Sequence, residues 1–243
     1  MKLGILDWGI GGVGLLNKIR EKSSVDIIYF SDTGFIPYGK AETDELKQRV
    51  LTVIDYLKES GCTHIAVACN AASTVIPVQK NIFGVILPAV RYVKKLQINR
   101  IGITGGKRTV ESELYKILLE KEGIHVKQQI AQPLSARIEA GDLYSDEMKK
   151  EIAVIFESLK GEKYILLACT HYPVIEKQIH ECIPNAILID PVTEMTEEIL
   201  DVLGKAEGKA AIRWTTSGNT EEMQRVLNLV YGIKSEKTER INI

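Results

Sequence analysis

Two cysteines stand in matching surroundings in this 243-residue chain. HIAVACNAAST (64–74) is a short apolar run that ends in Ala68-Cys69 and a cluster of small polar residues. YILLACTHYP (164–173) repeats the shape with Ala168-Cys169, 100 residues further on. A thiol can return a proton and a thiolate can take one. Two such groups facing each other across a substrate can remove the α-proton of an amino acid on one face and replace it on the other, which inverts the centre. One group must start ionised and the other protonated, so the pair titrates as a unit. A free cysteine has a pKa of about 8.5, and outward-pointing N–H dipoles at a strand-to-helix junction favour its thiolate. The α-proton is very weakly acidic, so donors must also stabilise negative charge developing on the α-carboxylate. Asn70, Ser73 and Thr170 are the small polar residues placed to supply them.

The remaining cysteines, Cys62 and Cys182, belong to no C-x-x-C pair and read as packing or surface residues. MKLGILDWG carries an acidic residue too early for a signal peptide, so disulfides are not expected. A zinc site from Cys69, Cys169 and His171 would have a spacing that fits no common structural-zinc pattern. With 31 basic and 32 acidic residues, the net charge of −1 leaves no footprint for nucleic acid or an acidic membrane surface. No apolar run approaches the roughly 18 residues needed to span a bilayer. The 45% hydrophobic content suits one large domain or two smaller ones with a real core.

Strands and helices alternate along the chain. Strands are expected at Lys2–Asp7, Asp26–Ser31, His64–Ala68, Gly84–Leu87, Arg100–Thr104, Val126–Gln129, Tyr164–Ala168, Ala186–Ile189 and Ala211–Thr215. Helices are expected at Gly12–Glu21, Thr43–Ser60, Ala72–Asn81, Arg108–Lys121, Ser145–Leu159, Val174–Cys182 and Glu221–Tyr231. The order of elements repeats, and so do details: Leu3-Gly4-Ile5-Leu6 matches Ile101-Gly102-Ile103-Thr104, and each half ends near a proline, Pro88 and Pro191. This predicts an α/β protein of two similar α/β domains with mostly parallel sheets, related by a pseudo-two-fold, with the active site in the cleft between them. One domain would take residues 1–95 plus 207–243 and the other 96–206, with linkers near Tyr92–Asn99 and Gly204–Gly208. The final KSEKTERINI reads as a solvated tail. In open parallel sheets ligands sit beyond the carboxyl ends of strands, where both cysteines fall.

A competing motif is Gly9-Ile10-Gly11-Gly12-Val13-Gly14. It spells G-x-G-x-x-G after a strand and before a helix, and Asp32 ends the next strand, as a dinucleotide site would demand. Asp7 argues against it, because a carboxylate there would repel a pyrophosphate. The alternative is a tight glycine turn whose free N–H groups hold a small anion such as a carboxylate.

Asp7-Trp8-Gly9-Ile10-Gly11-Gly12, YFSDTGFIPYG (29–39), VACNAAS (67–73) and LLACTHYP (166–173) occur in this order. On these segments the chain resembles, over nearly its whole length, the glutamate racemases of the aspartate/glutamate racemase superfamily. The resemblance implies two α/β domains, no cofactor, a small acidic amino-acid substrate, and a cytoplasmic supply of D-glutamate for peptidoglycan. It also implies a homodimer. By position it makes Cys69 and Cys169 the two acid/bases, with Asp7 assisting Cys69, and Glu139 (in QPLSARIEAG) and His171 assisting Cys169. Pro37, Tyr38 and Gly39 would hold the side-chain carboxylate, and Asn70, Thr109 and Thr170 the amino and α-carboxylate groups.

Three departures bear on the substrate. Trp8 stands where the family usually has serine, Ala71 where it has threonine, and Leu87-Pro88 where it has Glu-Pro. The first two remove hydroxyls, and an inward Trp8 would shrink the pocket while offering only a donor. The alternatives are therefore a racemase or isomerase of a different substrate on the same scaffold, and a ligand-binding protein without turnover. A thiol hydrolase and a dehydrogenase are further readings. His64 and His180 are taken as packing or surface residues, and Asp7 has a plain competing role as the cap of the following turn.

Overall fold

The computed structural model describes residues 1–76, 79–204, 210–234 and 237–243. The chain opens with β1 (Lys2–Asp7), α1 (Val13–Arg20), β2 (Asp26–Ser31), α2 (Thr43–Glu59), β3 (His64–Val67), α3 (Asn70–Ser73), β4 (Ile82–Gly84) and α4 (Ile86–Lys95). The pattern restarts with β5 (Arg100–Gly105), α5 (Lys107–Glu111), α6 (Leu114–Glu120), β6 (His125–Ile130), α7 (Gln132–Glu139) and α8 (Asp146–Glu157). It continues through β7 (Tyr164–Ala168), a 3-10 turn (Tyr172–Ile175), α9 (Glu176–Cys182), β8 (Ile187–Ile189) and α10 (Thr193–Leu203). The chain closes with β9 (Ile212–Thr216), α11 (Thr220–Tyr231) and β10 (Thr238–Arg240).

These strands make two sheets. One has the order β10-β9-β2-β1-β3-β4 and the other β6-β5-β7-β8, and every named strand pair is parallel. The repeat seen in the sequence is thus a repeat of topology: β2-β1-β3-β4 and β6-β5-β7-β8 use their strands in the same order. Its glycines have a matching cause. A Cβ at Gly4 would lie 3.0 Å from Leu57, and one at Gly102 would lie 3.3 Å from Leu159, so in each sheet the first strand lets a helix end approach closely. Apolar side chains of β1, β5, α1, α4 and α10 belong to one buried cluster that runs from one sheet to the other. The outer faces carry their own clusters, around α2 on the larger sheet and around α8 and α9 on the smaller. No helix among the described residues is long and apolar enough to cross a membrane.

Several elements differ from the sequence expectation. The helix expected at Ala72–Asn81 is a single turn, Asn70–Ser73, and residues 77–78 of that stretch lie outside the described residues. The strand expected at Gly84–Leu87 is shorter and earlier, Ile82–Gly84, and the apolar run continues as α4. Pro88 sits in the first turn of α4, where its missing N–H removes no helix bond. The first linker accordingly shrinks, since α4 runs through Tyr92 to Lys95. The helix expected at Arg108–Lys121 breaks in two at Glu113, which takes a left-handed φ of 53°. α7 and α10 are additional helices. Most of the linker expected at Gly204–Gly208, and the seam expected between residues 206 and 207, lie outside the described residues. The tail is also more than solvated: Thr238–Arg240 pairs with Trp214–Thr216, and Ile241 N donates to Thr216 O at 2.8 Å.

Candidate active site

Strand β1 pairs with β2 on one side and β3 on the other, and β5 stands in the same relation to β6 and β7. The chain therefore leaves each sheet's central pair in opposite directions, which opens a crevice beyond their carboxyl ends. Asp7 and Cys69 lie at the first crevice, Gly106 and Cys169 at the second. The two crevices form one cavity of about 130 Å³, lined by residues from both sheets, Cys69 and Cys169 among them. That is small beside the roughly 300–1,000 Å³ of drug-sized ligand pockets, so it suits one small substrate.

Cys69 stands just before α3, with the N–H groups of Ala71 and Ala72 turned toward its sulfur. Burial nonetheless pushes its pKa well above the ordinary thiol value, and the nearby Asp7 and Cys169 push the same way. Cys69 is thus held as a thiol. Asp7 is fully buried, and its Oδ2 accepts from Thr170 Oγ1 at 2.8 Å while Oδ1 accepts from Gly9 N at 3.4 Å. Burial raises its pKa against the opposing pull of His171. Asp7 therefore caps its turn and also lines the cavity.

On the opposite side, Cys169 Sγ lies 3.6 Å from His171 Nδ1, and His171 Nε2 contacts Glu139 Oε1. The same Glu139 oxygen accepts from Ile10 N at 2.7 Å. Burial works to lower the His171 pKa, but the bonds to Cys169 and Glu139 and the Glu139 charge carry it well above its ordinary value. The result is an imidazolium between a sulfur and a carboxylate, able to hold or pass a proton at Cys169.

Of the residues expected from the sequence, Asp7, Trp8, Pro37, Tyr38, Gly39, Cys69, Asn70, Ala71, Thr109, Cys169, Thr170 and His171 all line this cavity. Glu139 stands behind His171 and reaches the site only through it. Ser73 does not serve as a donor here: its hydroxyl bridges Val67 O and Val85 N, tying α3 to the start of α4. Residues the sequence reading missed are Lys40, Gly106, Arg108, Gln132, Ser135 and Ala136. Arg108 had a signal, as a cation beside Thr109, but its partners are far along the chain. Its guanidinium donates to the backbone carbonyls of Tyr38 (3.1 Å) and Ala41, so it ties α5 to the loop of Pro37–Gly39.

The glycine-rich loop is explained by crowding and leaves no cradle for a dinucleotide. A Cβ at Gly9 would collide with the Glu139 carboxylate, and one at Gly11 would collide with Thr170 and come within 2.7 Å of His171 Nδ1. The small anion held by this turn is the chain's own Glu139. Trp8 lines the cavity, yet its only donor, Nε1, bonds Phe35 O at 3.1 Å. It offers the cavity ring surface and no free N–H. Among the described residues, no group of three His, Cys, Asp or Glu side chains could hold a metal ion.

The sequence model of the Asp/Glu/hydantoin racemase family matches residues 15–199. A glutamate racemase of Aquifex pyrophilus is 30% identical over 96% of this chain and 94% of its own length. One from Pseudomonas aeruginosa is 30% identical over 95% of this chain and 94% of its own. The solved structure of the Aquifex pyrophilus enzyme superposes with a TM-score of 0.80, covering 98% of each chain at 30% identity. A glutamate racemase isoform of Bacillus anthracis shares the fold with a TM-score of 0.89 at 22% identity, over 100% of this chain and 97% of its own. On the family model and these relatives, the chain belongs to the Asp/Glu/hydantoin racemase family.

Proposed function

We propose that the protein interconverts L- and D-glutamate without a cofactor, using Cys69 and Cys169 as the two acid/bases. The observation that carries this reading is that both cysteines line one cavity, each at the carboxyl end of an equivalent strand. In one direction a thiolate takes the α-proton while the opposite thiol delivers its own proton to the other face of the carbon. The reverse direction exchanges the roles, so no net proton is consumed. His171 and Glu139 handle the proton at Cys169, and Asp7 does so at Cys69. Asn70, Thr109 and Thr170 contact the amino and α-carboxylate groups, the Thr170 hydroxyl being already given to Asp7. The backbone of Pro37–Gly39 holds the side-chain carboxylate, and the cations Lys40 and Arg108 at the cavity favour a substrate with two carboxylates. In the cell the reaction would supply D-glutamate for peptidoglycan from the cytoplasm, by a homodimer.

A second reading has its own support. Trp8 and Ala71 present ring and methyl surface where hydroxyls would bind substrate, which favours a relative of glutamate with fewer polar groups on that side. Incubation in deuterated water decides between them. Glutamate should gain deuterium at the α-carbon faster than aspartate or neutral amino acids. Cys69→Ser and Cys169→Ser should each lower racemisation by at least about 10²–10⁴-fold, the usual worth of a positioned acid or base. Full activity in both variants would end the two-thiol reading. Exchange only with another amino acid would establish the second.

A further inference from the structure

Asn70 is buried and lines the cavity, yet its two amide ends are treated differently. Its Oδ1 accepts a 2.7 Å hydrogen bond from the hydroxyl of Tyr115, a side chain of α6 with no exposed surface. Its Nδ2 is buried and has no partner among the described residues. Buried polar atoms are seldom left unpaired, because each costs its full desolvation, so an orphaned donor at a cavity marks the place of a ligand acceptor. Tyr115 itself does not line the cavity. It sits in the chain segment of the smaller sheet, 45 residues from Asn70, and reaches across to an amide carried by the larger sheet.

We infer that Tyr115 is a positioning residue: by donating to Asn70 Oδ1 it fixes the amide with Nδ2 toward the cavity, as a hydrogen-bond donor to a substrate carboxylate oxygen. A primary amide can flip, and its two faces have opposite meaning for an anion. With the oxygen toward the cavity Asn70 would repel a carboxylate; with the nitrogen there it attracts one. The Tyr115 hydroxyl decides between them. Among the described residues its proton has no other acceptor, and donating it requires the amide oxygen on that side. Burial and the nearby Cys169 hold the phenol pKa well above its ordinary value, so the donor stays protonated throughout the working pH range. Nothing in the sequence near VACNAAS announces this partner.

The inference rests on glutamate as substrate, and its test separates the two claims. Tyr115→Phe keeps the ring and removes only the donor. It should raise KM for both glutamate enantiomers about tenfold with kcat changed less than about threefold, because the bond is made to ground state and transition state alike. In an Asn70→Ala background the same change should add nothing, since the amide it orients is gone. A KM rise of equal size in both backgrounds would show a merely structural role and overturn the inference, as would an unchanged KM in the single variant. If Tyr115→Phe does not fold, the unaltered protein still reads the point. The Asn70 side-chain amide pair, assigned by its loss in Asn70→Ala, should shift in a ¹⁵N–¹H spectrum on adding D-glutamate. α-Deuterium exchange with an unshifted amide overturns the inference alone. A protein that neither exchanges nor binds glutamate overturns the proposed function and the inference with it.

Discussion

His171 keeps its charge in a buried place because Glu139 and Cys169 compensate it from both ring nitrogens. Glu139→Gln should therefore drop the His171 pKa toward its ordinary value of about 6.5, which an imidazole titration by NMR would read directly. The same shift has a stability consequence. A histidine whose pKa is higher folded than unfolded contributes its full stabilisation below about pH 6.5 and loses it as pH rises through the folded value. The urea midpoint gap between the unaltered protein and Glu139→Gln should be widest near pH 6 and narrow on going alkaline. At this scale the sequence was informative where chemistry is local. Cys69, Cys169 and His171 announce themselves by type and by strand-end position. Glu139 came only from resemblance to a family, since a glutamate in QPLSARIEAG looks like any surface acid. Tyr115 was illegible, because its role depends on a partner 45 residues away in the chain.

At the scale of elements, the loop of Gly9–Gly12 brings the two sheets' segments into close contact at the site. Its sequence invites a nucleotide reading, and local pattern alone had only Asp7 to set against it. What the motif actually serves is contact: Glu139, Thr170 and His171 occupy the space above it. Gly9→Ala and Gly11→Ala should each cost about 1–3 kcal/mol of stability, the usual price of overpacking. Each should also disturb the proton relay at Cys169, so activity should fall further than stability accounts for. Normal turnover in Gly9→Ala would contradict this account of the loop. The strands β1, β2, β5 and β7 were legible because apolar runs bounded by polar residues leave little choice. α10 was not anticipated, although Met195, Ile199, Leu200 and Leu203 are buried at helical spacing. Nor was α4: its apolar opening Ile86-Leu87-Pro88 reads equally well as the end of a buried strand, and only tertiary packing selects the helix.

For the whole molecule, the carboxyl-terminal segment matters more than its composition suggests. Asp32, fully buried, is paired with Arg49 (Nη2–Oδ1 2.5 Å) and accepts from Tyr38 OH at 2.6 Å and Ser217 Oγ at 2.7 Å. Arg49 also donates to Ile243 O at 2.6 Å. This cluster ties the cavity loop at Tyr38 to the last residues of the chain. Arg49→Met should destabilise by about 3–5 kcal/mol, because it strands a buried carboxylate without its counter-ion. A loss below 1 kcal/mol by urea denaturation would mean that Tyr38 and Ser217 suffice. The alternation of strand and helix revealed the two-sheet plan; the closing partnership did not show, because TERINI carries too little apolar content to mark a strand. Strand β2 is interior only once β9 lies beside it, and β9 is followed by β10 as the outermost rail. On the ribosome, roughly 180 residues of polypeptide must emerge between β2 and its neighbour. Until then the nascent sheet presents a bare hydrogen-bonding edge, the kind of surface on which chains stick to one another. Truncated or stalled products that end before residue 212 should accordingly be chaperone clients, while products that include β9 and β10 should not.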